Sequence, residues 1–101
     1  MESLAVQAVF ARDVAVSSTK PLTGHALAAA GALEAVIAWH VLQDNAQGVL
    51  PVHWWDGAAD PGMPALAAVP PGMQLGRAAR AVMSNSFAFG GSNSTLLFEA
   101  A

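Results

Sequence analysis

The chain is predicted to be an α/β protein, and three observations carry this: a long apolar run of helix formers from about 25 to 43, short segments with strand character at about 14–18, 49–53, 81–86 and 94–99, and an unusual shortage of charge. Of its 101 residues, 54% are hydrophobic and only 11% are charged, against roughly 25% in an average soluble domain. A chain of this length forms one domain, because it buries only about 60% of its unfolded surface and cannot support two cores. So much apolar side chain on so small a body predicts exposed apolar surface that a partner covers.

At the N-terminus, Leu4, Val6, Val9 and Phe10 suit a short helix that ends at Arg12-Asp13, before the strand-like Val14-Ala15-Val16. Ser17, Ser18 and Thr19 then turn the chain, and Pro21 is expected to hold Lys20 extended in a loop. Thr23 is the expected N-cap of one long helix from His25 to about Gln43, stopped by Asp44-Asn45 and Gly48. From Ala26 to Ala32 that helix is nearly all Ala and Gly, which lets other backbones approach, while Val36, Ile37, Trp39 and Leu42 fill its second half. Such a helix is packed on several sides. The stretch from Leu22 to Leu42 has the length of a membrane span, but Glu34 near its middle would cost about 2.5–3.5 kcal/mol there, so a buried helix of a soluble protein is expected.

From Gly48 to Gly76, five prolines break any period and leave Val49-Leu50-Pro51-Val52 as an edge strand. Ala81-Val82-Met83 and Thr95-Leu96-Leu97-Phe98 are then the strands of a terminal hairpin around the loop SNSFAFGGSN.

Several function classes are excluded. The net charge is −3, and Arg12, Lys20, Arg77 and Arg80 form no basic stripe, so no nucleic-acid partner is expected. There is no cysteine, hence no disulfide, no thiolate metal site and no thiol nucleophile. MESLAVQAVFARD has no basic stretch ahead of an apolar one, so no signal peptide is expected, no membrane association either, and the location predicted is cytoplasmic. No G-x-S-x-G elbow, Walker loop or H-E-x-x-H is present, and His40 and His53 have no ligand-like spacing, so no metal is expected. Trp54-Trp55 reads as packing or interface surface.

Three features can carry chemistry. His25 is predicted at a helix start, where free amides and the helix dipole disfavour a second proton; a neutral ring there can donate to a substrate carbonyl, although a capping or packing histidine fits the spacing equally. Lys20 and Glu34 must pair or share waters if they are drawn inside, and Glu34 lies among apolar neighbours with no cation three or four positions away. Phe87-Ala88-Phe89-Gly90-Gly91 places backbone amides between aromatic rings, able to offer an N–H to an oxyanion or simply to close a hairpin.

Taken together, STKPLTGHALAAAGALE and SNSFAFGGSNSTLLF resemble the two C-terminal signatures of β-ketoacyl synthases, the condensing enzymes of fatty-acid and polyketide assembly. Their order, their gap and the intervening Val49-Leu50-Pro51 fit that family. The resemblance covers nearly the whole chain and is weakest between Trp54 and Arg80. Thiolases also carry a Gly-His pair at a helix start, but SNSFAFGGSN is closer to the ketosynthase loop.

The resemblance implies a thiolase-like fold of layered helices and mixed sheets, α-β-α-β-α, of which residues 1–101 form a single C-terminal segment. It implies catalytic roles for His25, Lys20 and Glu34, with His25 donating to the thioester carbonyl of the malonyl extender while Lys20 and Glu34 organise the site. Phe89, with Phe87, Gly90 and Gly91, is implied to gate the acyl channel and supply an oxyanion-hole amide; Thr23, Gly24 and Asn93 shape the loops. No cofactor is implied. The implied partners are an acyl carrier protein bearing an acyl or malonyl thioester and the remainder of a ketosynthase, in a homo- or heterodimer.

Ala28 and Ala88 stand where the family has Gly, Pro21 follows the Lys, and Ser92 replaces a Thr, which marks a divergent branch. The family's nucleophilic Cys and its other catalytic His lie upstream of residue 1, so the chain alone is expected to be inactive. The alternative function is a non-catalytic, chain-length-factor-like subunit that shapes a partner's acyl channel. A catalytic role requires the His25 ring to be shielded from bulk solvent and close to Phe89.

Overall fold

A computed structural model describes residues 1–11 and 13–101; Arg12, one of the four cations and part of the expected end of the first helix, lies outside them. In chain order the elements are α1 (Glu2–Phe10), β1 (Ala15–Val16), α2 (Lys20–Thr23), a 3-10 turn (Leu27–Ala29), α3 (Ala30–Leu42), β2 (Ala67–Ala68), β3 (Ala81–Ala88) and β4 (Ser92–Glu99). β1 runs parallel to β2, with Ala15 opposite Ala67, while β3 and β4 form an antiparallel hairpin from Ala81–Glu99 to Ala88–Ser92. The expected mixed sheet is therefore, among the described residues, two separate two-stranded sheets. α3 lies across β3 and reaches β4.

The long helix is shorter than predicted, and its start is rebuilt. The Thr23 hydroxyl lies within donating distance of the carbonyls of Thr19 (3.2 Å) and Gly24 (3.0 Å), so it turns back along the chain and caps nothing ahead. Gly24 adopts φ 77°, ψ 166°, a region open essentially to glycine alone, and Leu27 has φ 47°. Helical geometry resumes as the 3-10 turn and becomes α-helical at Ala30, without a side-chain cap. Lys20 is also placed differently from the expectation. Pro21 sits in the first turn of α2, where its missing N–H costs nothing, so Lys20 is the first helical residue rather than an extended loop residue.

The expected edge strand at 49–53 reduces to a single antiparallel bridge between Val49 and Gln74, with Leu50 N donating to Met73 O (3.1 Å) and His53 N to Val69 O (2.8 Å). Pro51 has no amide to continue a ladder. The turn that delivers this segment is tightly built. Asn45 Nδ2 donates to Val41 O (3.0 Å) and Val49 O (2.9 Å), and Asn45 Oδ1 accepts from Val49 N (2.8 Å). Gly48, at φ 65°, passes so close to the 75–77 segment that a Cβ would lie 2.2 Å from Arg77 O.

The terminal hairpin extends beyond its expected ends. Strand pairing continues through Ala88 and Ser92, leaving only Phe89-Gly90-Gly91 as the connection, with φ values of 51°, 77° and 109°. Three successive positive φ values reverse the chain within three residues, two of them glycines that adopt this region freely. Asn93, expected to shape the loop, is instead a β4 residue paired with Phe87.

The buried hydrophobic residues are Val6, Ala38, Val41, Val69 and Ala79. α3 was expected to be buried, yet only Ala38 and Val41 of its residues are, while Val36 and Trp39 are each 53% exposed. A helix apolar on every side has here been covered mainly on the side facing β3. No helix among the described residues is long and apolar enough to cross a membrane.

Candidate active site

The first turn of α2 and the second turn of α3 bring Lys20 and Glu34 together: Lys20 Nζ donates to Glu34 Oε1 in an ion pair between residues fourteen positions apart. The Lys20 side chain is 41% exposed and that of Glu34 20%, so the pair sits at a rim and contributes at most about 1 kcal/mol. The other carboxylate oxygen is occupied as well. Ser84 Oγ, from β3, donates to Glu34 Oε2 at 3.2 Å. Both ends of the carboxylate are thereby fixed, one to α2 and one to the sheet.

Ser84 was not singled out in the sequence. The signal that could have found it is the two-residue alternation of β3, which places Ser84 on the same face as the half-buried Val82.

His25 lies in the irregular link between α2 and the 3-10 turn, not inside an α-helix, and it is exposed. It does meet one backbone donor: Leu27 N–H points at Nδ1, with N···N 3.3 Å. An Nδ1 that accepts leaves the proton of the neutral ring on Nε2, which has no protein hydrogen-bond partner among the described residues. The shielding expected around this ring is thus missing from the chain as it stands. No hydrogen bond joins His25 to Lys20, Glu34 or the hairpin turn among the described residues.

Phe89 sits at the hairpin tip, 91% exposed, with φ 51°. A bulky non-glycine residue in the left-handed region is strained by roughly 1–2 kcal/mol. Gly90 and Gly91 take their positive φ without cost, so Phe89 alone bears that strain within the turn. Phe87, one turn of the pleat back, is also largely exposed. Asn93 and Gly24 flank these features through backbone geometry only, as described above. His40 packs edge-on against its neighbour Trp39 (4.8 Å between centroids), and His53 accepts the Ser18 amide on Nδ1 (3.0 Å) while its ring meets Trp55 edge-on. Trp54 and Trp55 are exposed. No cluster of three metal-ligating side chains exists among the described residues.

In chemical terms, the Lys20–Glu34–Ser84 group is a fixed dipole, His25 Nε2 is a free donor, and the Phe89 turn carries aromatic surface on a rigid hairpin.

Residues 1–52 match the family described as beta-ketoacyl synthase, C-terminal domain. The 3-oxoacyl-[acyl-carrier-protein] synthase 2 of Coxiella burnetii is 42% identical over 101 residues, covering 96% of this chain and 23% of that protein. The 3-oxoacyl-[acyl-carrier-protein] synthase 1 of Haemophilus influenzae is 39% identical over 97 residues, covering 94% of this chain and 23% of that protein. A solved structure, the ketosynthase ApeO in complex with its chain length factor ApeC from Xenorhabdus doucetiae, matches with a TM-score of 0.83 at 38% identity, over 100% of this chain and 25% of that chain. The chain thus spans about a quarter of the length of these relatives. Its mixed α/β architecture is that of the thiolase-like ketosynthases. With more than half of its length matched by the family and its fold shared with a solved member, the chain belongs to the β-ketoacyl synthases, within their C-terminal domain.

Proposed function

We propose that the chain supplies one part of the active site of a β-ketoacyl-[acyl-carrier-protein] synthase, which joins an acyl thioester to malonyl carrier protein in fatty-acid or polyketide synthesis. In this reaction the bond between the malonyl carboxylate carbon and its α-carbon breaks, CO2 leaves, and the electron pair moves onto the thioester oxygen as an enolate. His25 Nε2–H donates to that oxygen, stabilising the charge as it forms. The enolate carbon then attacks the acyl thioester carbonyl, forming the new C–C bond and expelling the thiolate.

This chain has no cysteine, so the acyl group is carried on a thiol of another segment or subunit. The same missing surface accounts for the exposure of His25 and Phe89. Phe89 contributes an amide to the acyl oxyanion and its ring to the channel gate, with Phe87 beside it. Gly90 and Gly91 provide the turn, and Lys20 with Glu34 sets a fixed field near the malonyl site.

The observation that carries this reading is the Lys20–Glu34 pair, formed across the segment that bears His25 and tied by Ser84 to the strand that leads to Phe89. The test is malonyl carrier protein decarboxylation by the chain together with a complementing N-terminal ketosynthase part. His25→Ala should slow CO2 release by about 10²–10³-fold. Equal rates for variant and wild type would remove His25 from the mechanism.

A second reading, a chain-length-factor-like subunit, draws on Ala28 and Ala88, where the family resemblance expects glycine. Neither has a positive φ, so alanine fits both positions without strain, and these departures leave the local backbone intact. A partner ketosynthase whose product lengths shift with Phe89 variants of this chain, while His25→Ala has no effect, would favour that reading.

A further inference from the structure

His53 lies outside both signature motifs, yet it is bonded to the chain that leads into the candidate site. Its backbone N donates to Val69 O (2.8 Å), and Val69 N donates to Val16 O (3.0 Å) at the end of β1. Its ring closes the circuit, because Nδ1 accepts the Ser18 amide at 3.0 Å in a half-buried contact between residues 35 apart in sequence. Trp55 supports the ring edge-on, with 5.5 Å between centroids and 62° between planes. Ser18 is the residue before Thr19, whose carbonyl accepts the Leu22 and Thr23 amides that start the turn bearing Lys20.

We infer that His53 is a positioning residue for the Lys20–His25 segment: its unprotonated Nδ1 holds the Ser18 amide, and a proton on that nitrogen releases the entry to the segment. A protonated imidazole has two N–H donors and no acceptor, so the Ser18 N–H would then face another N–H. The entry of α2 would lose the bond from Ser18 N to the His53 ring that ties it to the 49–53 segment. Among the described residues, the titratable groups flanking the bonded partners in sequence are Asp13 ahead of β1, Lys20 beyond Ser18 and Asp56 on the ring's own segment. Lys20 is engaged with Glu34, and Asp56 Oδ1 accepts from Ala58 N, so neither is bonded to the imidazole.

The consequence for condensation rests on the function proposed above, but the device can be read without any activity assay, so the two can fail separately. In the full 15N-labelled chain, long-range 1H–15N spectra report protonation of the His53 ring, and hydrogen exchange reports protection of the Ser18 amide between about pH 5 and 8. The expected result is a Ser18 protection factor that falls at least about tenfold as the ring takes up its proton. His53→Asn places Oδ1 where Nδ1 stood and cannot take up a proton, so protection should persist across the range. His53→Ala should show the low value at every pH, with Lys20 acylated faster by a small anhydride.

A wild-type protection factor that stays flat while the ring titrates would overturn the inference, and so would a pH step that survives in His53→Asn. If His53→Ala does not fold, the comparison of wild type with His53→Asn decides alone.

Discussion

Glu34 is the residue on which three elements converge, and its carboxylate has no spare oxygen: one is bound by Lys20 and the other by Ser84. Ser84→Ala should destabilise the chain by about 0.5–1.5 kcal/mol, the worth of one half-buried hydrogen bond, measured by urea unfolding. Glu34→Ala should cost about 1–2 kcal/mol, because it removes the Lys20 ion pair and the Ser84 hydrogen bond together. Phe89 predicts the opposite sign. Since it is almost fully exposed and strained, Phe89→Asn, a residue that tolerates the left-handed region, should leave stability unchanged or raise it by up to about 1 kcal/mol in thermal melts. Loss of condensation in a complemented assay alongside that gain would separate the function of the ring from any structural role. From sequence, the apolar neighbours of Glu34 left its charge in need of a partner, with pairing to Lys20 or shared water both open; the structure forms the pair. Ser84 was not legible there, because which side chain meets a carboxylate fifty residues away depends on strand register and helix crossing. The exposure of His25 was missed for a related reason. A local pattern can mark a ring near a helix start without revealing what covers it.

Among the elements, the hairpin and α1 were readable because alternating and helical periods need only local sequence; α1 lies close to its expected bounds, while the hairpin strands run past theirs through Ala88 and Ser92. The start of α3 was misread because Thr23 satisfied a capping pattern while its hydroxyl had nearer backbone acceptors in its own turn. Proline was misread as well: Pro21 marks a helical first turn, and the extended preference it imposes on its predecessor gave way to the backbone bonds from Leu22 N and Thr23 N to Thr19 O. At the turn after α3 the sequence signs were right and their strength was understated. Gly48→Ala forces a Cβ into Arg77 O at 2.2 Å in addition to its positive φ, and should cost more than about 2 kcal/mol, read as a lowered urea midpoint. Gly24→Ala has open space around it, so its cost of about 1–3 kcal/mol is conformational alone and should be accompanied by loss of the Leu27 amide contact to His25 in NMR spectra.

For the whole molecule, the low charge content announced an uncovered surface, and the structure places it: Val36 and Trp39 on α3, Leu96 and Leu97 on β4, Phe87 and Phe89 at the hairpin tip. At tens of micromolar the chain should bind a hydrophobic dye and sediment above its monomer mass, and addition of a complementing ketosynthase part should lower the dye signal several-fold. The hairpin also imposes a rule of spacing. Ser84 and Phe89 stand five residues apart along β3 and its tip, about 17 Å at the rise of an extended strand. Insertion of one residue between them would turn every following side chain to the opposite face and shift the ring away from the carboxylate. Diverging descendants of this gene therefore keep the length of that stretch fixed even where its letters change.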